Sequence, residues 1–520
     1  IDLKLFLGPV LNAILGIVAA PVVAWNLQIV ANFVLNGVCM FFLVFFLTRS
    51  RLSAYFSGIA FAFCPYHFAR AWQHLGLTYN QWIVLAFLLI FALKTHPSRR
   101  NVFFLALAFL LLLSFDYSTS YMGLTGVATF VLYVLCYRWK EKLKSNPGTF
   151  LPKTEARLIK LIAAAAGLAV LALIGVLVPS IYNVLMYSGM TEASAFNPLH
   201  RPFEDLFAQS ARPLSYIIPV PFHFLFGVVT EQFVGSSLYG TSLTEHALYV
   251  GITVLVLSFL AFRRWRRLRD GEERFAIGFF LLLVLVAWLF SQPPFWRIGG
   301  VRIPMPSAFM YRVLPMYRAY ARFGILLMLA LSVLAGYGLA FVRERRPSGR
   351  VLPFVLTALL IFEFWNWPPY RCIEVATPPS VYTWIEQQDT EAVAEYPLDV
   401  SAPNEKYKFF QIFHRKKIVN GALPGTPSNE LAATLVNLSR QETTAVLRKM
   451  GVGYALVHHD GYLNTGLAQD QQELANIRLN PDLDLVRSFP AEECPDPSLM
   501  CVRSAGRIDV YAIKEGQEVH

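Results

Sequence analysis

Long apolar runs, several free of any charge, alternate along this chain with short loops crowded with arginine and lysine. No other feature restricts the fold as much. An apolar run long enough to cross a hydrocarbon core of about 30 Å is read as a membrane helix. Inside lipid no water is available to the backbone, so each such run satisfies its own hydrogen bonds as a helix. Runs of this kind fall at roughly 22–48, 53–67, 77–94, 101–115, 118–137, 160–187, 246–262, 275–291, 322–342 and 351–366. The segments at 53–67 and 101–115 are short for a crossing. Composition agrees: 55% of the 520 residues are hydrophobic and only 15% are charged, against about 25% charged in soluble proteins. The expected fold is a polytopic α-helical membrane protein with about ten or eleven spans, residues 1–21 forming either one further span or a surface helix. The chain opens on Ile1, inside an apolar segment, so its true N-terminus is expected to lie upstream.

The loops give the sidedness. Arg49 and Arg51, then Lys94, Arg99 and Arg100, then seven lysines and arginines between Arg138 and Lys160, occupy every second loop. The series continues through Arg263 to Arg274 and ends with Arg343 to Arg350. The intervening loops are poor in these residues, 292–321 being the partial exception with Arg297, Arg302, Arg312 and Arg318. The positive-inside rule assigns the rich set to the cytoplasm of a cell (inner or plasma) membrane. The large loops at 188–245 and 292–321 then face outward, as does everything beyond about 367. The net charge of +11 is therefore not a nucleic-acid footprint, because the basic residues border spans instead of sharing one soluble face.

The division falls between a membrane domain, 1–367, and an extracytoplasmic domain, 368–520. In the tail the pattern changes to strands at Glu391–Leu398, Tyr454–His458 and Asp509–Ile513. A helix is expected over Asn429–Met450, capped by Ser428 and ended by Gly451. Together these suggest a small α/β domain. Cys39, Cys64 and Cys136 lie in apolar runs as small core residues. Cys494 and Cys501 fall in the outward domain, where an oxidising compartment favours a disulfide over free thiols.

Polar and ionisable residues at the outward ends of the spans are the functional candidates, since charge near lipid is costly. His67, Arg70 and His74 form a hairpin suited to a phosphate, or one belonging to an interfacial belt. Asp116 is either a general base or metal ligand, or the cap of the following helix. The loop 188–245 carries Glu204, Asp205, Arg212 and Glu245 and, with its prolines and aromatics, reads as an ordered lid. Arg318 and Arg322 either hold an anionic headgroup or pair with Glu204, Asp205 or Glu245. No nucleotide-binding loop and no zinc pattern is present.

Several stretches carry a resemblance. These include Asn32–Asn36, Ala54 to Gly58, Phe61 to His67, Gln73 to Leu75, and Gln81 with Trp82. Ser210 to Tyr216, Glu245 with Tyr249 to Gly251, Tyr320 to Gly324, Leu334 to Gly338, Val393 to Pro397 and Val419 to Gly421 complete the set. Together they resemble bacterial YfhO-like and GT-C glycosyltransferase-like membrane proteins. The resemblance implies a GT-C-like membrane domain and transfer of a sugar from a polyprenyl-phosphate-linked donor to a cell-envelope acceptor at the outer face. A carboxylate would deprotonate the acceptor while cations hold the departing phosphate. In that group the carboxylate follows the first span, which implies a principal catalytic residue upstream of Ile1, with Asp116, Glu204 and Glu245 as the weaker candidates present. Donor contacts would be His67, Arg70, His74, Arg212, Arg318 and Arg322. A divalent cation near Glu204 and Glu245 is the one cofactor under consideration; membrane lipids are the other expected partners. The alternative is a non-catalytic transporter or exporter, or an envelope assembly scaffold.

Overall fold

The computed structural model describes residues 14–17, 20–142, 153–188, 202–240, 242–345, 351–366, 373–374, 377–398, 402–421, 427–464, 467–493, 500–501 and 505–514. Contacts divide the chain into a helical unit, residues 2–181 with 199–369, and a second unit centred on 370–520.

Helices occur at all ten expected positions of the first unit. They are α1 (Pro21–Thr48), α2 (Arg51–Ala62), α3 (Pro65–Gln73), α4 (Gln81–Thr95), α5 (Arg99–Phe115), α6 (Tyr117–Lys142) and α7 (Lys153–Ser188). After the long loop follow α8 (Ile252–Arg267) and α9 (Glu272–Ser291), the hairpin β1 (Phe295–Ile298) and β2 (Val301–Pro304), then α10 (Pro306–Val313), α11 (Gly324–Arg345) and α12 (Leu352–Phe364). Among the described residues, five segments are long and apolar enough to cross a membrane: Val22–Thr48, Leu75–Thr95, Ser118–Tyr137, Glu272–Ser291 and Tyr320–Arg345.

Two of the expected helices differ in detail. The run at 53–67 is broken, because Pro65 opens α3 as a separate helix; its ring cannot continue the hydrogen-bond ladder of α2. The run at 246–262 becomes helical only at Ile252. Glu363 of α12 supplies the reason. Its carboxylate accepts from the Thr253 amide at 3.1 Å and from Thr253 Oγ1 at 2.9 Å, satisfying donors that the start of a helix leaves free.

Packing in lipid cannot rely on expelling water, so close backbone approach and van der Waals contact carry it. A side chain at Gly338 would stand 2.0 Å from the Leu257 carbonyl, and one at Gly58 would stand 2.9 Å from the Gly37 carbonyl. α11 meets α8, and α2 meets α1, at those glycines. Between α4, α6 and α9, the rings of Phe87, Phe91, Phe130, Phe279 and Phe280 interlock at centroid separations near 5–6 Å, a spacing typical of edge and offset contacts.

The second unit is a small α/β structure with a five-stranded sheet. Its strands are β3 (Ala392–Tyr396), β4 (Lys417–Ile418), β5 (Val452–His458), β6 (Leu483–Phe489) and β7 (Ile508–Ile513), in the order β4-β3-β5-β7-β6. β3 pairs in parallel with β4 and β5, whereas β7 is antiparallel to both β5 and β6. The three expected strands are present. β6 escapes a reading by alternation because its five central residues are all exposed. The single helix expected over Asn429–Met450 is two, Pro427–Thr434 and Gln441–Lys449. Leu435 and Leu438 turn into the core between them, and Ser439 is held by Glu473 through its amide at 2.9 Å and its hydroxyl at 2.7 Å. Cys39, Cys64 and Cys136 are free thiols. Cys494, and with it the expected Cys494–Cys501 disulfide, lies outside the described residues.

Asp509 anchors this sheet. Its fully buried carboxylate meets Arg507, Arg478, His459 and Ser488. Burial works to raise its pKa, but hydrogen bonds from Arg507, Ser488 and His459 bring it down to about 2. A depressed folded pKa contributes stability above the unfolded value and loses it as pH falls through the folded one. Screening through the half-exposed arginines leaves a contribution of about 1–2 kcal/mol at neutral pH. Asp509→Asn should therefore lower the unfolding temperature of the second unit at pH 7, and the gap to the parent should close between pH 4 and 2 in a calorimetric pH series.

Candidate functional site

The break after α2 creates the first part of the site. Helix ends leave carbonyls without partners, and His67 Nδ1 lies 2.9 Å from the Phe61 carbonyl and 3.1 Å from that of Ala62. Its other nitrogen meets Asn80 Nδ2 at 3.0 Å. Both ring nitrogens are engaged inside the protein, where the sequence suggests a phosphate contact. The arrangement instead directs α3, whose last turn carries Arg70, with the guanidinium 4.9 Å from the Tyr66 ring one turn earlier.

A ladder of amides holds the next segment. Gln28, Asn32 and Asn36 recur every four residues and so share one face of α1. Asn32 donates to Thr78 Oγ1 at 2.7 Å and Asn36 to the Thr78 carbonyl at 2.8 Å. Gln28 accepts from the Tyr79 hydroxyl at 2.7 Å, and Gln81 donates to Asn32 at 3.0 Å. The turn so pinned backs onto the end of α5. Tyr79 stacks on Phe115 at 4.2 Å, and a Cβ at Gly76 would lie 3.5 Å from Asp116 Oδ2.

Asp116 caps α6, since its Oδ1 accepts the Thr119 amide at 2.8 Å. This geometry realises the capping reading of that residue and still leaves Oδ2 outside the cap. Asp116 is only partly buried and makes no ion pair among the described residues.

The centre of the site is Glu245. Arg70 donates to it in bidentate fashion, Nη1 to Oε1 at 3.0 Å and Nη2 to Oε2 at 2.7 Å. Arg322 approaches the same carboxylate through Nε at 3.2 Å and Nη2 at 2.9 Å, and its Nη1 donates to Ser118 Oγ at 3.0 Å. Side-chain exposures of 0%, 6% and 13% for Arg70, Glu245 and Arg322 make this a buried triad. Burial alone would raise the Glu245 pKa, but the two guanidiniums hold it well below the usual carboxylate range. One carboxylate against two guanidiniums leaves a net positive charge. Tyr66 lies within electrostatic reach of all three members and of Asp116. Tyr66 Oη and Arg70 Nε are buried without a hydrogen-bond partner among the described residues.

The remaining candidates scatter. Arg318 pairs with Asp205 at 2.7 Å in a half-exposed contact. Arg212 Nη2 donates to the Phe207 carbonyl at 2.5 Å. His74 is exposed at the end of α3, and Glu204 is exposed beside Asp205. Arg70, Glu245 and Arg322 are thus brought together with Asp116 nearby, whereas His67 and Arg212 are turned to backbone carbonyls. Glu204 and Glu245 do not form a cation site: Glu245 is occupied by two arginines, and no group of three potential metal ligands occurs among the described residues. Ser118 and the amide ladder of α1 were not singled out as parts of the site in the sequence. For the ladder a signal existed in the four-residue spacing of Gln28, Asn32 and Asn36.

Removing the shared carboxylate strands two buried cations. Glu245→Gln should cost about 3–5 kcal/mol, read by SDS titration in mixed micelles, whereas Asp205→Asn should cost under about 1 kcal/mol because its partner stays hydrated.

The chain matches no known family model and no curated protein. Its fold is similar to that of the arabinofuranosyltransferase AftD from mycobacteria, solved by single-particle cryo-EM, with a TM-score of 0.55 at 14% identity. That likeness covers 98% of this chain and 36% of the other, so the chain spans about a third of that protein's length. The Archaeoglobus fulgidus oligosaccharyltransferase aligns more loosely, with a TM-score of 0.41 at 9% identity over 87% of this chain and 58% of that chain. The architecture is accordingly a helical membrane fold like that of AftD, followed by a small sheet-containing C-terminal region.

Proposed function

We propose that this chain is the core of a membrane glycosyltransferase that moves a sugar from a polyprenyl-phosphate-linked donor to a cell-envelope acceptor at the outer membrane face. One observation carries the reading: a buried, net-positive Arg70–Glu245–Arg322 centre beside a partly accessible Asp116. A buried net charge is costly unless an anion compensates it. The phosphate of a lipid-linked donor is such an anion, and its lipid tail keeps it at the depth where the triad lies. The AftD-like fold supports the same class of chemistry.

In this reading the acceptor hydroxyl gives its proton to Asp116 Oδ2 while its oxygen attacks the anomeric carbon. The bond from that carbon to the donor phosphate breaks, and the electron pair leaves on the phosphate oxygen. The cationic centre stabilises the charge that accumulates there. Glu245 holds both guanidiniums in place and is too strongly ion-paired to act as the base. Arg318, in a half-exposed pair with Asp205, is a further donor contact, because an arriving phosphate can displace a partly hydrated carboxylate at little cost.

Asp116→Asn separates catalysis from folding, because asparagine caps a helix about as well as aspartate. With purified full-length protein and a panel of polyprenyl-phosphate sugars, this variant should keep its thermal stability. Its turnover should fall by roughly 10²–10⁴-fold, the range expected for a lost general base. Unchanged turnover would remove Asp116 from the chemistry, and no turnover of any donor by the parent protein would overturn the proposed reaction.

A further inference from the structure

At the far ends of α8 and α11 from the triad lies a cavity of about 270 Å³, lined by Leu260, Arg263, Arg267, Phe341, Val342 and Arg345. The two helices run about 24 and 33 Å from the Glu245–Arg322 end to this one. Its walls are of two kinds. Leu260, Phe341 and Val342 form an apolar side, and three arginines form the other.

Two of the acids nearby, Glu273 and Glu344, are committed to Arg264. Glu273 accepts from Arg264 Nε at 3.1 Å and from its Nη2 at 3.2 Å, and Glu344 pairs with the same Arg264 at 3.3 Å. Arg263, Arg267 and Arg345 make no ion pair and no hydrogen bond among the described residues, and all three are exposed. Arg345 is held over the Phe341 ring at 4.5 Å, with Arg264 over the same ring at 5.3 Å. That stacking orients the Arg345 guanidinium without using its hydrogen-bond donors. The result is a trio of guanidiniums, unpaired among the described residues, against an apolar wall at the ends of α8 and α11.

We infer that this cavity binds the phosphate headgroup of an anionic phospholipid in the leaflet facing the arginine-rich loops. The guanidiniums take the phosphate oxygens, and the Leu260–Phe341–Val342 wall receives the first part of the acyl chains. Guanidiniums that recognise phosphate would accept free phosphate too, but only a lipid uses the apolar wall. Basic pockets between spanning helices at this depth suit such headgroups, each nearby arginine adding to the attraction. The inference does not depend on the proposed transferase chemistry, since the pocket and the triad lie at opposite ends of the helices.

The test is native mass spectrometry of the full chain in detergent, titrated with phosphatidylglycerol, phosphatidylcholine or inorganic phosphate. The parent protein should retain phosphatidylglycerol over phosphatidylcholine. The triple variant Arg263→Ala, Arg267→Ala, Arg345→Ala should bind phosphatidylglycerol roughly 10–100-fold more weakly with phosphatidylcholine unchanged. Arg266→Ala with Arg269→Ala, exposed arginines outside the cavity, should leave the preference intact. Equal loss in that control would mean diffuse charge attraction and overturn the pocket, as would undiminished phosphatidylglycerol binding in the triple variant. Inorganic phosphate binding as tightly as the lipid would overturn the lipid assignment.

Discussion

Glu245 is shared by two guanidiniums that reach it from opposite parts of the chain, Arg70 from the end of α3 and Arg322 from the approach to α11. Protein around the triad leaves these charges little hydration, so each arginine depends on that single carboxylate. The contact ties the first hairpin, the long loop and the last strongly buried helix of the unit to one another. It also determines what the site can do. Two cations against one anion form a centre with spare positive charge, already assembled before any ligand arrives.

The polar scaffold beneath it has a different physical basis. Amides on α1 close their hydrogen bonds on Thr78, Tyr79 and Gln81, so the turn between α3 and α4 is held by neutral groups. Neutral pairs cost less to bury than ions do, which suits a segment that only has to be kept still. By this means Gly76 and Tyr79 back onto Asp116 and Phe115. The capping bond to Thr119 then leaves one carboxylate oxygen of Asp116 outside the cap. Ions and amides therefore divide the work, the first setting the charge of the site and the second its shape.

Much of this was legible residue by residue. Arg70, Asp116, Glu245, Arg318 and Arg322 stand out in the sequence because charge beside apolar runs needs a reason. Their partners do not stand out. Arg70 and Glu245 are 175 residues apart, and no local pattern links them. His67 shows the limit most clearly: beside Arg70 it looks like a phosphate ligand, yet the break at Pro65 frees two carbonyls that claim its ring. Glu363 lies within an apolar run without any local sign that it will cap α8. In the second unit, β6 carries no alternation because its central residues are exposed, and the helix expected from Asn429 onward is interrupted where Leu435 and Leu438 enter the core.

The sequence by itself determined roughly where the helices of the first unit lie, that several of them are apolar enough for lipid, and that a strand-bearing tail follows them. Those properties depend on the solvent preference and periodicity of neighbouring residues, which composition records directly. Only the tertiary structure decided which carboxylate Arg70, Arg318 and Arg322 each meet, where α8 begins, how the sheet is ordered, and that three arginines at the far ends of α8 and α11 pair with no acid among the described residues. Pairing of charges is a long-range choice, made by whichever groups the packing of helices brings within about 3 Å of one another, and nothing in the local sequence specifies that distance.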